Sequence, residues 1–277
     1  MIARLDHVVY RVPTNLLNDV IEQMIRAGFM EHTRRVHHSD GRTSVFFRVS
    51  GGYLEFCSDE WLPCSEQHAS RCSIWLCSTD LVADAERLPT AQREALEILK
   101  KSPLGDDEPA WLIANLSTRC GEEVSVSLIE YLRGIGGDLA FRIPDNGLFA
   151  IIAVSMRCNS LELERNHYVT SLGVLLGANG VREERFNIGH QWLDFLNSDA
   201  PQYDGPLLLS QASCLVHMAT INLEQTTFML KAADFIVDEV AGIGLLAQSK
   251  LAPAVCLVLC TGLDPDWHQA LLLARSQ

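Results

Sequence analysis

A histidine and a glutamate stand inside stretches whose other residues are apolar and strand-forming: His7 in ARLDHVVYRV and Glu55 in GGYLEFCSD. Side chains alternate between faces along a strand, so His7 shares a face with Leu5 and Val9, and Glu55 with Tyr53 and Cys57. An ionised carboxylate in such a strand is expensive unless it is paired, protonated or bound to a metal. Imidazole nitrogen and carboxylate oxygen are ligands that suit divalent Zn, Ni, Mn, Fe or Co, with water in any open position. Two blander roles stand beside this one. A histidine in an apolar strand is more often a hydrogen-bonded core residue than a ligand, and Glu55 could pair with Arg48 across the adjacent turn.

The elements that position these residues follow from periodicity. Leu5 to Val12 reads as a strand, broken by Pro13-Thr14-Asn15. From Leu16 to Arg26 apolar residues fall at Leu17, Val20, Ile21, Met24 and Ile25, the spacing of a helix, which Gly28 stops. Strands follow at Thr33–Val36, Thr43–Val49 and Tyr53–Cys57, separated by the turn signals Ser39-Asp40-Gly41 and Gly51-Gly52. The pattern recurs. A second unit opens at Ser73–Leu76, with a helix over Val82–Leu99, a loop at Ser102–Pro109 and strands at Trp111–Leu116 and Val124–Leu132. A third opens at Leu148–Met156, with a helix over Leu161–Leu176, a turn at Asn179-Gly180 and strands ending at His190–Phe195. A fourth opens at Cys214–Ile221, has a helix over Thr226–Val240 and closes on Ala254–Cys260.

The strand ends YLEFCSD (53–59), IEYLRG (129–134), WLDFLNSD (192–199) and CLVLCTG (256–262) support an internal repeat. The fold class expected is α+β, about four tandem βαβββ units. A Gly- and Pro-bearing linker at 134–147 divides the chain into a first domain, 1–133, and a second, 148–277. Aligning the strand ends puts Glu130 where Glu55 sits in the first unit, and Ser73 at the position of His7.

This unit, with LDHVV on its first strand and YLEF on its last, resembles the metal-binding module of the vicinal oxygen chelate superfamily, which includes glyoxalase I, extradiol dioxygenases and bleomycin-resistance proteins. The likeness is greatest to its glyoxalase-like branch. The resemblance implies two glyoxalase-like half-barrel domains. It also implies a cup built from two units, with one ligand from each first strand and one acid from each last strand. Carried over, His7, Glu55 and Glu130 are the metal ligands, Glu55 or Glu130 is the general base, and Ser73 leaves the fourth place without a ligand. A small molecule with vicinal oxygens is then the implied substrate, and a homodimer is compatible. Isomerase, lyase or, with iron, ring-cleaving dioxygenase chemistry all fit. The competing expectation is a metal-free protein that binds or sequesters a small molecule in the same cup.

Other candidates are weaker. Asp194 takes the acid position of the third unit, but its first-strand counterpart falls near Ile152 and the last strand of the fourth unit offers Val258. His217 might join Asp194, yet a degenerate second half is the better reading. His32, His37 and His38, with Arg34 and Arg35, could meet an anion or add a ligand, although polar decoration of an edge strand explains them as well. His190 reads as a turn residue and Cys57 as a buried, inert thiol. No dinucleotide-binding, P-loop, zincin or nucleophile-elbow motif is present.

The whole chain narrows the classes further. Its 277 residues, 48% hydrophobic and 21% charged, are a globular balance with room for two domains. A net charge of −13 makes nucleic acid and anionic membrane poor partners. No apolar run is long enough for a membrane helix, and MIARLDHVVY lacks the order of a signal peptide. Nine cysteines, an odd number without C-x-x-C spacing, read as reduced thiols of a cytoplasmic protein.

Overall fold

Apolar residues every three or four positions from Leu17 wind the chain into α1 (Leu17–Arg26), which buries Leu17, Val20, Ile21 and Met24 against a sheet. That helix joins β1 (Ile2–Pro13) to β2 (Val36–His37), β3 (Thr43–Val49) and β4 (Gly52–Asp59). In this computed structural model, the described residues are 1–32, 35–38, 40–49, 52–59, 72–102, 108–116, 124–132, 144–158, 161–176, 181–182, 185–197, 205–207, 209–212, 214–241 and 243–261.

The same order returns three times. The second unit is β5 (Cys72–Ser78), α2 (Leu81–Arg87), α3 (Thr90–Ala95), β6 (Ile98–Lys101), β7 (Trp111–Asn115) and β8 (Val124–Tyr131). The third is β9 (Leu148–Cys158), α4 (Leu161–Leu176), β10 (Val181–Arg182), β11 (Arg185–Ile188) and β12 (Gln191–Asn197). The fourth is β13 (Cys214–Thr220), α5 (Leu223–Ala232), β14 (Phe235–Val240), β15 (Gly244–Ser249) and β16 (Cys256–Cys260). Units pair into two eight-stranded sheets, ordered β2-β3-β4-β1-β5-β8-β7-β6 and β10-β11-β12-β9-β13-β16-β15-β14. In each sheet a first strand runs parallel to the last strand of its own unit and antiparallel to the first strand of the next. Four βαβββ units thus make two half-barrels, as expected from the repeat.

Two expected helices are shorter than their apolar spacing suggests. The stretch Val82–Leu99 holds α2 and α3, separated at Leu88-Pro89, and then β6. Leu88 is extended because the following proline ring disfavours the helical conformation there. The stretch Thr226–Val240 ends its helix at Ala232; Asp234 turns the chain with φ 64°, and Phe235–Val240 is a strand. The β-branched pair Ile236-Val237 suits a pleated sheet better than a helix. Likewise a turn at Gly189-His190 divides β11 from β12, placing His190 in a turn as expected. Within the expected linker, residues 133–143 lie outside the described residues, and Pro144–Gly147 is a turn closed by Gly147 N–H to the Pro144 carbonyl at 2.9 Å. Thr33, Arg34, Ser39, Gly51 and the turn Asn179-Gly180 also lie outside them. Among the described residues no helix is long and apolar enough to cross a membrane.

One apolar core runs through both halves, from Leu5, Tyr10 and Phe56 to Val216, Leu230 and Leu257. Polar groups cross it in pairs. Gln23 of α1, fully buried, donates to the Ala233 carbonyl at 3.0 Å and accepts from Ser249 Oγ at 2.5 Å. Gln191 accepts from Leu5 N–H at 3.1 Å and donates to the Ile151 carbonyl at 2.9 Å. Removing one such partner leaves the others desolvated and unmatched, so Gln23→Ala is expected to cost about 2–4 kcal/mol. Urea unfolding measures this, and a cost near zero would mean that Gln23 does not tie the halves together.

Candidate functional site

The other face of the first sheet is open. It walls a cavity of about 960 Å³ on whose lining His7, Glu55, Trp75 and Tyr131 all stand. Its inner wall depends on an irregularity in β1. The register against β5 runs Leu5↔Leu76 and then His7↔Trp75, so β1 carries one extra residue, Asp6. Such a bulge turns two successive side chains toward one side. Gly52 permits it: a Cβ there would lie 2.5 Å from the Asp6 carbonyl oxygen.

Asp6 has no exposed surface and is matched on both oxygens. Arg4 donates to Oδ1 at 2.9 Å; Tyr131 Oη donates to Oδ2 at 2.6 Å, and His7 Nδ1 lies 2.8 Å from the same oxygen. Burial alone would raise its pKa, but the hydrogen bond and charge of His7, with Arg4 and Tyr131, outweigh that and hold it at about 2. In turn, burial and the Asp6 charge push Tyr131 far above the ordinary phenol value. Tyr131 therefore remains a donor.

With Asp6 accepting at Nδ1, the Nε2 of His7 faces the cavity, 3.3 Å from Glu55 Oε2. The imidazole stacks on Trp75 at 5.2 Å and 12°, and Trp75 Nε1, buried, has no hydrogen-bond partner among the described residues. Ser44 Oγ donates to Glu55 Oε1 at 2.5 Å and lies 2.8 Å from His38 Nε2. Ser44 and His7, rather than Arg48, thus meet the two oxygens of Glu55. Burial pushes His38 below the ordinary histidine value against the pull of Glu55, and burial with the Glu55 charge raises the Cys57 thiol to about 11.

The structure brings His7 and Glu55 together; Glu130 it places elsewhere. On β8 the side chains facing the cavity are Ser125, Ser127, Ile129 and Tyr131, and none is an acid. Glu130 points to the opposite face, where its Oε2 accepts the Leu81 N–H at 2.7 Å. It caps the start of α2, where a negative charge is favourable. Counting back from the strand ends misplaced it by one residue, which in a strand reverses the face. Ser73 is also engaged, 2.6 Å from Ser125 Oγ. Of the three neighbouring histidines, His38 reaches Glu55 through Ser44, whereas His37 bonds Thr43 at 3.1 Å and His32 meets the edge of Tyr53. Asp6 and Tyr131 were not singled out in the sequence. An acid beside a histidine was the available sign, but strict alternation hides it on the wrong face.

The second sheet repeats the strand plan of the first. Asp194 pairs in register with Ser155 as Glu55 does with Val9, so the counterpart of His7 is Ala153, next to the expected Ile152, and His217 Nε2 lies 2.8 Å from Ser155 Oγ. Val258 pairs in register with His217. Leu207, Leu209 and Ala212 pack onto Leu215, Leu246 and Val258 on the β13–β16 side of that face.

No protein-family profile and no curated relative matches the chain. Solved structures do at the level of fold. A variant of 4-hydroxymandelate synthase from Streptomyces coelicolor matches with TM-score 0.56 at 12% identity, over 98% of this chain and 97% of that one. The 2,2',3-trihydroxybiphenyl 1,2-dioxygenase of Sphingomonas wittichii matches with TM-score 0.53 at 11% identity, covering 95% and 91%. Homoprotocatechuate 2,3-dioxygenase from Brevibacterium fuscum matches with TM-score 0.51 at 11% identity, covering 97% and 92%. At such identities the likeness is one of fold.

Asp6 gives this site a pH signature. Its pKa of about 2 lies below the ordinary 3.8, so its contribution is present above that range and is lost as the pH falls through about 2. Asp6→Asn is expected to destabilise the protein by about 3 kcal/mol at neutral pH and to flatten its acid limb between about pH 4 and pH 2. Melts across that range test it; identical acid limbs would mean that Asp6 is not held ionised.

Proposed function

Starting from a chain with the fold of the vicinal oxygen chelate superfamily, we propose that it is a metal-dependent enzyme acting in the first cup on a small substrate with vicinal oxygens. The observation that carries this is the pair His7 Nε2 and Glu55 Oε2, 3.3 Å apart on the wall of the open cavity. That separation matches one edge of a coordination shell with bonds of about 2.0–2.2 Å. The nitrogen–oxygen donor set suits Zn, Ni, Mn, Fe or Co, and a carboxylate behind a ligating imidazole is the usual support. A divalent cation there supplies a Lewis acid for two neighbouring substrate oxygens and for the negative charge that develops on them.

The chain's own residues do the rest. Asp6 fixes the His7 tautomer, and Arg4 and Tyr131 keep Asp6 ionised. Trp75 holds the imidazole plane and offers its buried Nε1–H to a substrate oxygen. Glu55, acceptor-only when ionised, takes the proton from the carbon or hydroxyl beside it. A cavity of about 960 Å³ is at the upper end of the range for small-molecule sites, so a small metabolite is the partner rather than a macromolecule. The second half supports the first through the core they share.

One observation favours a second reading, a metal-free binding protein: the cavity face of β8 has no acid, and Ser73 is spent on Ser125. Glu55→Gln separates the two. If Glu55 is a ligand, the variant loses metal affinity by at least about tenfold, since a charged ligand is gone, while its metal-free melting temperature holds or rises. Melts of both proteins with and without a chelator read this out. A wild type indifferent to chelator, with a destabilised variant, would favour the binding protein.

A further inference from the structure

A cation on His7 and Glu55 alone has two protein ligands, fewer than the three of ordinary catalytic zinc sites. Among the described residues, the second unit supplies no third. The first unit does, on the far side of Glu55. Donor atoms of His38, Glu55 and Cys57 lie within 4.8 Å of one another, the one such group among the described residues. All three line the same cavity. Cys57 follows Glu55 by two residues on β4 and so shares its face. His38 sits at the end of the β2–β3 hairpin, its N–H bonded to the Arg42 carbonyl at 2.9 Å, which hangs the ring over the start of β3. Ser44, paired with Cys57 across the strands, already links His38 to Glu55 through its hydroxyl.

We propose that the cation of this cup is held by His38, Glu55 and Cys57, with its fourth position open to substrate, and that His7, tied to Asp6, stands beside it as the proton-moving base. Nitrogen, oxygen and thiolate sulfur make a donor set for Zn, and three protein ligands with one open position is its catalytic format. The site lies wholly in the first unit, so Ser73 and the averted Glu130 are no loss to it. Gathering the donors to bonds of about 2.0–2.3 Å needs the hairpin end to close on β4 and the Cys57 proton to leave on binding. This rests on the metal reading above and keeps Glu55 as a ligand, but His38 and Cys57 take the place of His7 in the ligand set, and His7 takes the place of Glu55 as the base.

Cobalt(II) added to the purified, untagged full chain tests it. A thiolate-to-cobalt charge-transfer band in the near ultraviolet is expected in the wild type and in His7→Ala, and its absence in Cys57→Ser. Zinc affinity, measured by chelator competition, is expected to fall about tenfold or more in His38→Ala and Cys57→Ser but less than about threefold in His7→Ala. If Cys57→Ser does not fold, alkylation of the wild type mapped by mass spectrometry serves instead, with Zn expected to protect Cys57. Metal bound without the thiolate band and lost in His7→Ala would overturn this ligand set and leave the proposed function standing. A wild type that binds neither cobalt nor zinc would overturn both.

Discussion

A carboxylate with no surface in water has to be answered by the protein on every side, and Asp6 organises the first half in that way. Arg4, His7 and Tyr131 converge on it from β1 and β8, so two units that touch mainly through β1 and β5 also meet at one charge. The bulge that turns Asp6 inward is possible because β4 begins with a glycine beside the Asp6 carbonyl. Shift that bulge and the His7 ring loses its support, its tautomer and its place against Trp75. Backbone irregularity, buried charge and ring orientation are one constraint seen at three levels.

The two sheets show how one fold can line its concave side with different chemistry. Both sheets have the same strand order and the same apolar helix-bearing side. In the second, Leu207, Leu209 and Ala212 pack onto part of the concave side, while in the first polar side chains line a cavity. Apolar side chains there gain burial at no polar cost, whereas the first cup keeps polar side chains with narrow tolerances. Function lives in the site and not in the sheet that carries it.

Much of this architecture was legible because periodicity is a strong signal: α1, β3 and α4 begin and end within a residue of where their apolar spacing puts them. The repeat told how units follow one another, since turn residues recur between strand-like runs. Where apolar runs admit either period, as at Ile98–Lys101 and Phe235–Val240, pairing with a neighbouring strand decided the matter, and no local pattern records that. Counting twos put Glu55 with Tyr53 and Cys57 and His7 with Val9, as the cavity lining has them, but it also put Leu5 beside His7, whereas the bulge sends Leu5 to the core. Glu130 could not be placed in this way, because strand ends are ragged by a residue and one residue reverses the face. Asp6 was hidden for the complementary reason: a bulge breaks the count. The roles of Ser44 and His38 depend on which strands become neighbours, a property of the folded sheet alone.

The shared core also bears on how such a protein arises and what it can later lose. Gln23 to Ser249, Leu5 to Gln191, and Cys72 within 3.1 Å of Cys214 stitch the halves through buried atoms. Each half is thereby scaffold to the other, since deleting either would expose the apolar back of the one that remained. A substitution on one convex face is therefore felt by both sheets, whereas one on a concave face is felt by its own half alone.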